Sequence, residues 1–215
     1  MNQKILKNFV VFEGIDGAGT TTQIKRLKNS AIGEKIFATA EPTNGETGRF
    51  LRRVLSGEIE ADAKTAAFLF AADRAEHLWG KEKADFNGAI QEKCERGTIC
   101  VSDRYFFSSL AYQGETCGED FVKMLNSTFP LPELLFFFEI DCEISLSRIG
   151  GREKREIYEK IDFLKKVQER YKNVISSFEN SQMKIVCVDA SKSVEEVGDL
   201  IWNEISKMPI FKAIV

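Results

Sequence analysis

The chain has 215 residues, of which 43% are apolar and 29% charged, and a formal net charge of −3. That length builds one large domain with a substantial core, and the composition excludes a disordered chain. The slight acidity argues against a general nucleic-acid binder, which must neutralise many phosphates, but leaves room for a local basic site that takes a small anion.

The five cysteines, Cys94, Cys100, Cys117, Cys142 and Cys187, are scattered, and there is one histidine. No C-x-x-C pair occurs, which argues against a zinc site. Cys100 and Cys187 fall in apolar, strand-like runs, and buried thiols are expected there, as in a reducing cytosol. Met1 to Asn8 is polar and has no apolar signal core. The most apolar run, Leu134 to Phe138, is far too short to span a bilayer. The expectation is a soluble cytoplasmic protein with no membrane or nucleic-acid partner.

In chain order, Phe9 to Glu13 reads as a buried parallel strand that runs into a glycine-rich loop. A helix follows over Thr20 to Ser30, then a short strand over Lys35 to Thr39 that Glu41-Pro42 ends. Phe50 to Leu55, Ala61 to Trp79 and Lys83 to Glu95 read as helices, the last stopping near Gly97. Thr98 to Val101 is a β-branched strand with Ser102-Asp103-Arg104-Tyr105 at its end. Helices are predicted over Phe107 to Gln113 and Glu119 to Asn126, and the most apolar strand over Leu134 to Ile140. A short helix, Ser145 to Ile149, leads into Gly150-Gly151 and the charged stretch Arg152 to Glu156. The long helix Tyr158 to Phe178, the strand Lys184 to Val188 and the helix Val194 to Ser206 complete the chain. Strands alternate with helices throughout, without linker or repeat. This predicts one α/β domain of the three-layer type, about five parallel strands covered by helices on both faces, with its site at the carboxyl ends of the strands.

Gly14 and Gly19 have the spacing of the phosphate-binding P-loop, G-x-x-x-x-G-K-[ST], and Thr21 falls on its magnesium-side hydroxyl. Thr20 stands where the motif has lysine. Glycines let the backbone approach phosphate oxygens, and the N–H groups with the helix N-terminus supply a positive field. The lysine adds a charge that follows the transferred group, and losing such a donor costs about 3–4 kcal/mol in the transition state. Candidate replacement cations are Lys25, four residues beyond Thr21, and Arg148, Arg152 and Arg155.

Asp103 ends a strand, where a carboxylate commonly holds magnesium near a P-loop threonine. Arg104 would point into the same cleft and suits a substrate phosphate. Phe70 and Arg74 share a helix face that would suit stacking and hydrogen bonding to a base, although on helical spacing alone they read as a core aromatic and a solvated charge. His77 reads as a structural histidine.

These motifs resemble the thymidylate kinases, nucleoside-monophosphate kinases of the P-loop fold. The matching stretches are Phe12-Glu-Gly-Ile-Asp-Gly-Ala-Gly19, Glu41-Pro42 with Gly48 and Arg52, Leu69-Phe-Ala-Ala-Asp-Arg-Ala-Glu-His77, Asp103-Arg-Tyr-x-x-Ser108 with Ala111-Tyr-Gln113, and Asp189-Ala-Ser191. They occur in family order over most of the chain.

The resemblance implies a single kinase domain over 1–215 with a lid at about 149–157, and a homodimer. It implies magnesium-dependent transfer of the ATP γ-phosphoryl group to dTMP. Gly14, Asp16, Gly17, Ala18, Gly19, Thr20, Thr21 and Thr22 would then hold ATP with Arg148, Ala190 and Ser191. Asp16, Pro42, Arg52, Phe70, Arg74, Arg104, Ser108, Ser109, Tyr112 and Gln113 would hold dTMP. In detail, Asp16 would meet the sugar 3′-hydroxyl, Phe70 would stack on thymine and Arg74 would bond its carbonyl. Tyr112 would disfavour a 2′-hydroxyl. Thr21 and Asp103 would serve Mg2+, and Asp103, Arg104, Arg152 and Arg155 would act in catalysis. Two departures stand out: Thr20 replaces the lysine, and Ala40 precedes Glu41-Pro42 where many members have arginine. Two alternatives stay open: a non-catalytic nucleotide-binding sensor, which Thr20 supports, or a kinase of the same fold for another pyrimidine (deoxy)nucleotide.

Overall fold

A computed structural model describes residues 3–81, 86–149 and 154–212, the side chains of 154–160 and 212 excepted. Its centre is strand β1 (Ile5–Gly14), whose run Phe9 to Phe12 is apolar at every position and fully buried. Apolarity at successive positions, rather than alternate ones, marks a strand covered on both faces. Around it stand β2 (Ile36–Ala40), β3 (Ile99–Asp103), β4 (Leu131–Glu139) and β5 (Lys184–Asp189), all parallel, in the order β2-β3-β1-β4-β5.

The flanking helices are α1 (Thr20–Lys28), α2 (Glu46–Leu55), α3 (Ala63–Trp79), α4 (Ile90–Glu95), α5 (Phe106–Cys117), α6 (Glu119–Asn126), α7 (Cys142–Ile149), α8 (Lys154–Ser176), α9 (Val194–Ile205) and α10 (Pro209–Lys212). This is the three-layer P-loop arrangement that the alternating pattern predicts. Among the described residues, no helix is long and apolar enough to cross a membrane.

Register decides what the sheet delivers. Phe12 pairs with Asp103, and Gly14 pairs with Phe138. The loop after β1 therefore emerges beside the end of β3, between strands whose connections leave to opposite sides. Open α/β sheets bind ligands at such a point. The Phe12 ring meets those of Phe136 and Phe138 at 5.1 and 5.3 Å, which packs the sheet centre.

Several boundaries differ from the sequence prediction. Of the helix predicted over Lys83 to Glu95, residues 86–89 are not helical and α4 starts only at Ile90, while 83–85 lie outside the described residues. The buried Phe86 ring lies where a Cβ on Gly88 would stand, 2.0 Å away, and Ala89 takes a left-handed φ of 59°. This tertiary seat of Phe86 keeps the segment out of a helix. β1 starts four residues earlier than predicted and shifts register between Leu6 and Val10, with Asn8 at φ 64°. Its backbone N–H donates to Glu133 Oε2 at 2.7 Å, so a side chain stands in for a lost ladder bond. Helix α8 begins at Lys154, inside the charged stretch Arg152 to Glu156 and ahead of the predicted start at Tyr158, and α10 carries no strong sequence signal. Cys187 is exposed rather than buried, because β5 is an edge strand, whereas Cys100 on β3 is fully buried.

The stacked aromatic centre predicts a large cost for truncation. Phe136→Ala should lower unfolding free energy by about 3–5 kcal/mol, checked by denaturant titration. A loss below about 1 kcal/mol would contradict this account of the core.

Candidate active site

Two cavities open at the carboxyl ends of the strands and share the loop after β1. The first, about 470 Å³, is lined by Gly17, Ala18, Gly19, Thr20, Thr21 and Thr22, and on its far side by Phe138, Arg148, Ala190 and Lys192. Gly17 and Gly19 adopt φ values of 80° and 94°, a region that costs glycine nothing. A Cβ on Gly17 would meet the Ser145 carbonyl oxygen at 2.5 Å. The Ser145 hydroxyl in turn donates to the Asp16 carbonyl, so α7 is seated directly against the loop.

This cavity collects most of the residues predicted from the loop motif, with three exceptions. Gly14 is not part of the lining; a Cβ there would stand only 3.0 Å from the Phe138 carbonyl oxygen. Ser191 is not part of the lining, because its hydroxyl and N–H both donate to Asp189 Oδ1. Asp16 belongs to the other cavity. Of the proposed replacement cations, Arg148 lines the cavity and the exposed Lys25 does not. Lys192, which the sequence reading passed over, does line it. Arg152 lies outside the described residues, as does the side chain of Arg155.

At the rim, Thr21 Oγ1 donates to Asp103 Oδ2 at 2.6 Å. Both donors are hard oxygens, the chemistry magnesium takes. Among the described residues no group of three or more His, Cys, Asp or Glu could hold a metal. The pair therefore fits an ion that keeps waters and takes further ligands from phosphate, and not a cage built by protein alone.

The second cavity, about 370 Å³, is lined by Asp16, Pro42, Phe70, Arg74, Arg104, Ser108, Ser109, Tyr112 and Gln113, with Leu55, Ala63 and Ala66 among its apolar walls. Nine of the ten residues predicted for a monophosphate pocket come together here. Two buried polar atoms, Tyr112 Oη and Gln113 Oε1, have no hydrogen-bond partner among the described residues. Unpaired buried polar groups are costly, and a polar ligand would supply the missing bonds. Arg104 has φ 74°, unusual for a residue with a Cβ, and such strain clusters at functional sites. Its N–H groups donate to Asp16 Oδ1 at 2.6 Å and to Ser108 Oγ and Tyr171 Oη, each at 3.1 Å.

Arg52 is the residue that the cavity lacks. Its guanidinium donates to the backbone carbonyls of Pro42 and Thr43, and so holds the turn that forms one wall. Arg74 reaches the cavity but is otherwise committed. It pairs with Glu41 Oε2 at 2.7 Å and donates to Asn126 Oδ1 and Ser109 Oγ, with 1% of its side chain exposed. His77 is fully buried between Thr39 Oγ1, at 2.7 Å, and Glu41 Oε1, at 3.0 Å, which bears out its structural reading. Asp73 accepts from the N–H and hydroxyl of Thr43. The Asp73-Arg74-x-x-His77 run of α3 thus pins the loop after β2.

Glu13, at the end of β1, was missed as a site residue. Its signal was a lone carboxylate inside an apolar strand. It is fully buried, and Oε1 accepts from the N–H groups of Tyr105 at 2.8 Å and Ser108 at 3.2 Å. Oε2 accepts from Ser108 Oγ at 2.6 Å and Tyr171 Oη at 3.0 Å. Burial pushes its pKa from 4.5 to about 7, against the opposing pull of Arg104 and of these hydrogen bonds. Tyr171 left no distinct signal, being one of several apolar-face residues of α8.

The folded chain therefore keeps a proton that the unfolded chain releases from about pH 4.5 upward. The associated stability is complete below that pH, declines as pH rises and is gone above about pH 7. Its full size is about 3 kcal/mol. Thermal melts of Glu13→Gln should show a flatter decline between pH 5 and 7.5 than the unaltered protein; parallel curves would contradict the raised pKa.

A family model described as thymidylate kinase matches residues 12–201. A protein of Treponema pallidum that also carries the thymidylate kinase name is 39% identical over 205 residues, covering 94% of this chain and 96% of its own. "Probable thymidylate kinase" of Methanocaldococcus jannaschii is 39% identical over 203 residues, with 94% and 97% covered. The protein of the same name from Pyrobaculum aerophilum is 35% identical over 205 residues, with 95% and 99% covered. These comparisons lend no support to a non-catalytic sensor. With the loop, the two cavities and the Asp103-Arg104 strand end in place, they show that the chain belongs to the thymidylate kinase family of enzymes.

Proposed function

We propose that the protein transfers the γ-phosphoryl group of ATP to dTMP, giving dTDP and ADP. The observation that carries this reading is that consecutive residues, Asp16 and Gly17, line different cavities. Two phosphorylated ligands seated in those cavities would bring their phosphates together at one loop, as in-line transfer needs. A phosphate oxygen of dTMP attacks the γ-phosphorus while the bond to the β–γ bridging oxygen breaks, and ADP leaves with that electron pair.

The chain's own groups divide the work. The loop N–H groups from Gly17 to Thr22 cradle the ATP phosphates, with Arg148 and Lys192 as the cations on that cavity's wall. Thr21 and Asp103 would hold Mg2+, which when bound neutralises charge on the phosphates. Arg104 grips the dTMP phosphate, and Asp16 reaches the sugar. Phe70 offers a ring to the base, and the unpaired Gln113 Oε1 suits the imide N–H of a pyrimidine. Arg74, committed to Glu41, shapes the base pocket and has a remaining N–H for a base carbonyl. The segment at about 149–157 would serve as the lid of a single domain, with Arg152 and Arg155 as its cations; Arg152 and the Arg155 side chain lie outside the described residues.

The same reading includes a homodimer and residence in the cytoplasm. Phe68 and Trp79 on α3 and Met124 on α6 are 54%, 49% and 58% exposed, an apolar face of the kind that marks an interface.

An ADP-release assay with ATP, Mg2+ and a panel of nucleoside monophosphates tests the reaction. dTMP should be preferred, and Arg104→Ala should raise the KM for dTMP at least tenfold with little change for ATP. Thr20→Lys should change kcat by less than tenfold if other cations cover the lysine's role; no turnover by the unaltered protein would sink the kinase reading. Sedimentation velocity should show a dimer that Phe68→Glu converts to monomer, and a monomeric unaltered protein would refute the dimer.

A further inference from the structure

Glu13 Oε2, Ser108 Oγ and Tyr171 Oη form a closed ring of oxygens, separated by 2.6, 2.7 and 3.0 Å. Three hydrogen-bonded contacts need three protons, and the two hydroxyls supply two. With Glu13 ionised, one contact has oxygen facing oxygen with nothing between them. A proton on Oε2 completes the ring. Arg104 sits on the other side, donating to both hydroxyl oxygens from one nitrogen. The ring is thus the second layer behind the guanidinium, and it joins β1, α5 and α8.

We propose that Glu13 and Tyr171 are positioning residues for Arg104, and that Glu13 takes up a proton when the acceptor phosphate binds there. This rests on the reading of the second cavity as the dTMP site. The charged and titratable groups facing Glu13 are Arg104 from the end of β3, Tyr105 and Tyr112 from that end and α5, and Tyr171 from α8. Asp16 pairs with the same arginine. Arg104 is the one cation in this set, and its field favours an ionised Glu13. A phosphate dianion against Arg104 offsets that field. Glu13 then binds its proton more tightly, the ring closes, and the two hydroxyls fix the guanidinium in place. Burial, which already places the Glu13 pKa at about 7, puts this event within the working pH range.

The test is calorimetric binding of dTMP and of thymidine at pH 8, where free dTMP is already a dianion, in two buffers of different ionisation enthalpy. The unaltered protein should take up roughly half a proton or more per dTMP, and none with thymidine. Glu13→Gln should abolish the uptake. Tyr171→Phe, which deletes only a hydroxyl and remains informative if Glu13→Gln fails to fold, should weaken dTMP about tenfold and leave thymidine and ATP unchanged. Binding of dTMP with no proton uptake, or equal weakening of dTMP and thymidine by Tyr171→Phe, overturns the proposal while the kinase reading stands. No dTMP binding by the unaltered protein overturns both.

Discussion

The constraint on which the site depends is the complete burial of β1 from Phe9 onward. Phe9 to Phe12 are covered on both faces, and β3 and β4 occupy both edges. A strand so enclosed has no freedom of register, because a slip of one residue would turn each side chain to the opposite face. The pairing of Phe12 with Asp103 therefore fixes Glu13, the phosphate loop and Arg104 relative to one another. The Arg104 N–H donates to the Phe12 carbonyl at 2.9 Å, which continues that registration one residue past the strand. Core packing sets the geometry, and the polar groups inherit it.

Electrostatics then divides the site into a wet half and a dry half. Thr21 and Asp103 face solvent at the loop, where an ion can keep water. Behind Arg104 and Arg74 stand two buried carboxylates, Glu13 and Glu41, each surrounded by donors. Breaking a buried pair by removing one partner is strongly destabilising, about 3–5 kcal/mol, because the other charge is left without compensation. Arg74 with Glu41 is therefore as much a clamp between the loop after β2 and α3 as a wall of the pocket. The same dryness that makes these pairs costly to break lifts the Glu13 pKa toward neutrality.

Much of this was legible in the sequence where a signal is local. The spacing of Gly14 and Gly19 and the apolar runs placed the strands and the loop, and the resemblance to the thymidylate kinases supplied nine of the ten residues that line the second cavity. Legibility failed where a side chain's partner lies far along the chain. Arg52 looked like a phosphate ligand, yet its guanidinium is taken by the carbonyls of Pro42 and Thr43. The segment before α4 looked helical, yet the seat of the Phe86 ring against Gly88 overrides that propensity. Thr20 shows the same division: the sequence reveals the missing lysine, while the placement of Arg148 and Lys192 on the cavity wall comes from strand and helix ends more than a hundred residues away.

The sequence by itself determined the α/β order, the phosphate loop and the family, because periodicity, glycine spacing and short motifs act over a few residues. Only the tertiary structure decided which charges meet. It set Glu13 against Tyr171, 158 residues apart, and Asp16 against Arg104, 88 residues apart. Such pairings follow from register and burial. These depend on how every apolar face is covered at once, and no local stretch of the chain encodes that.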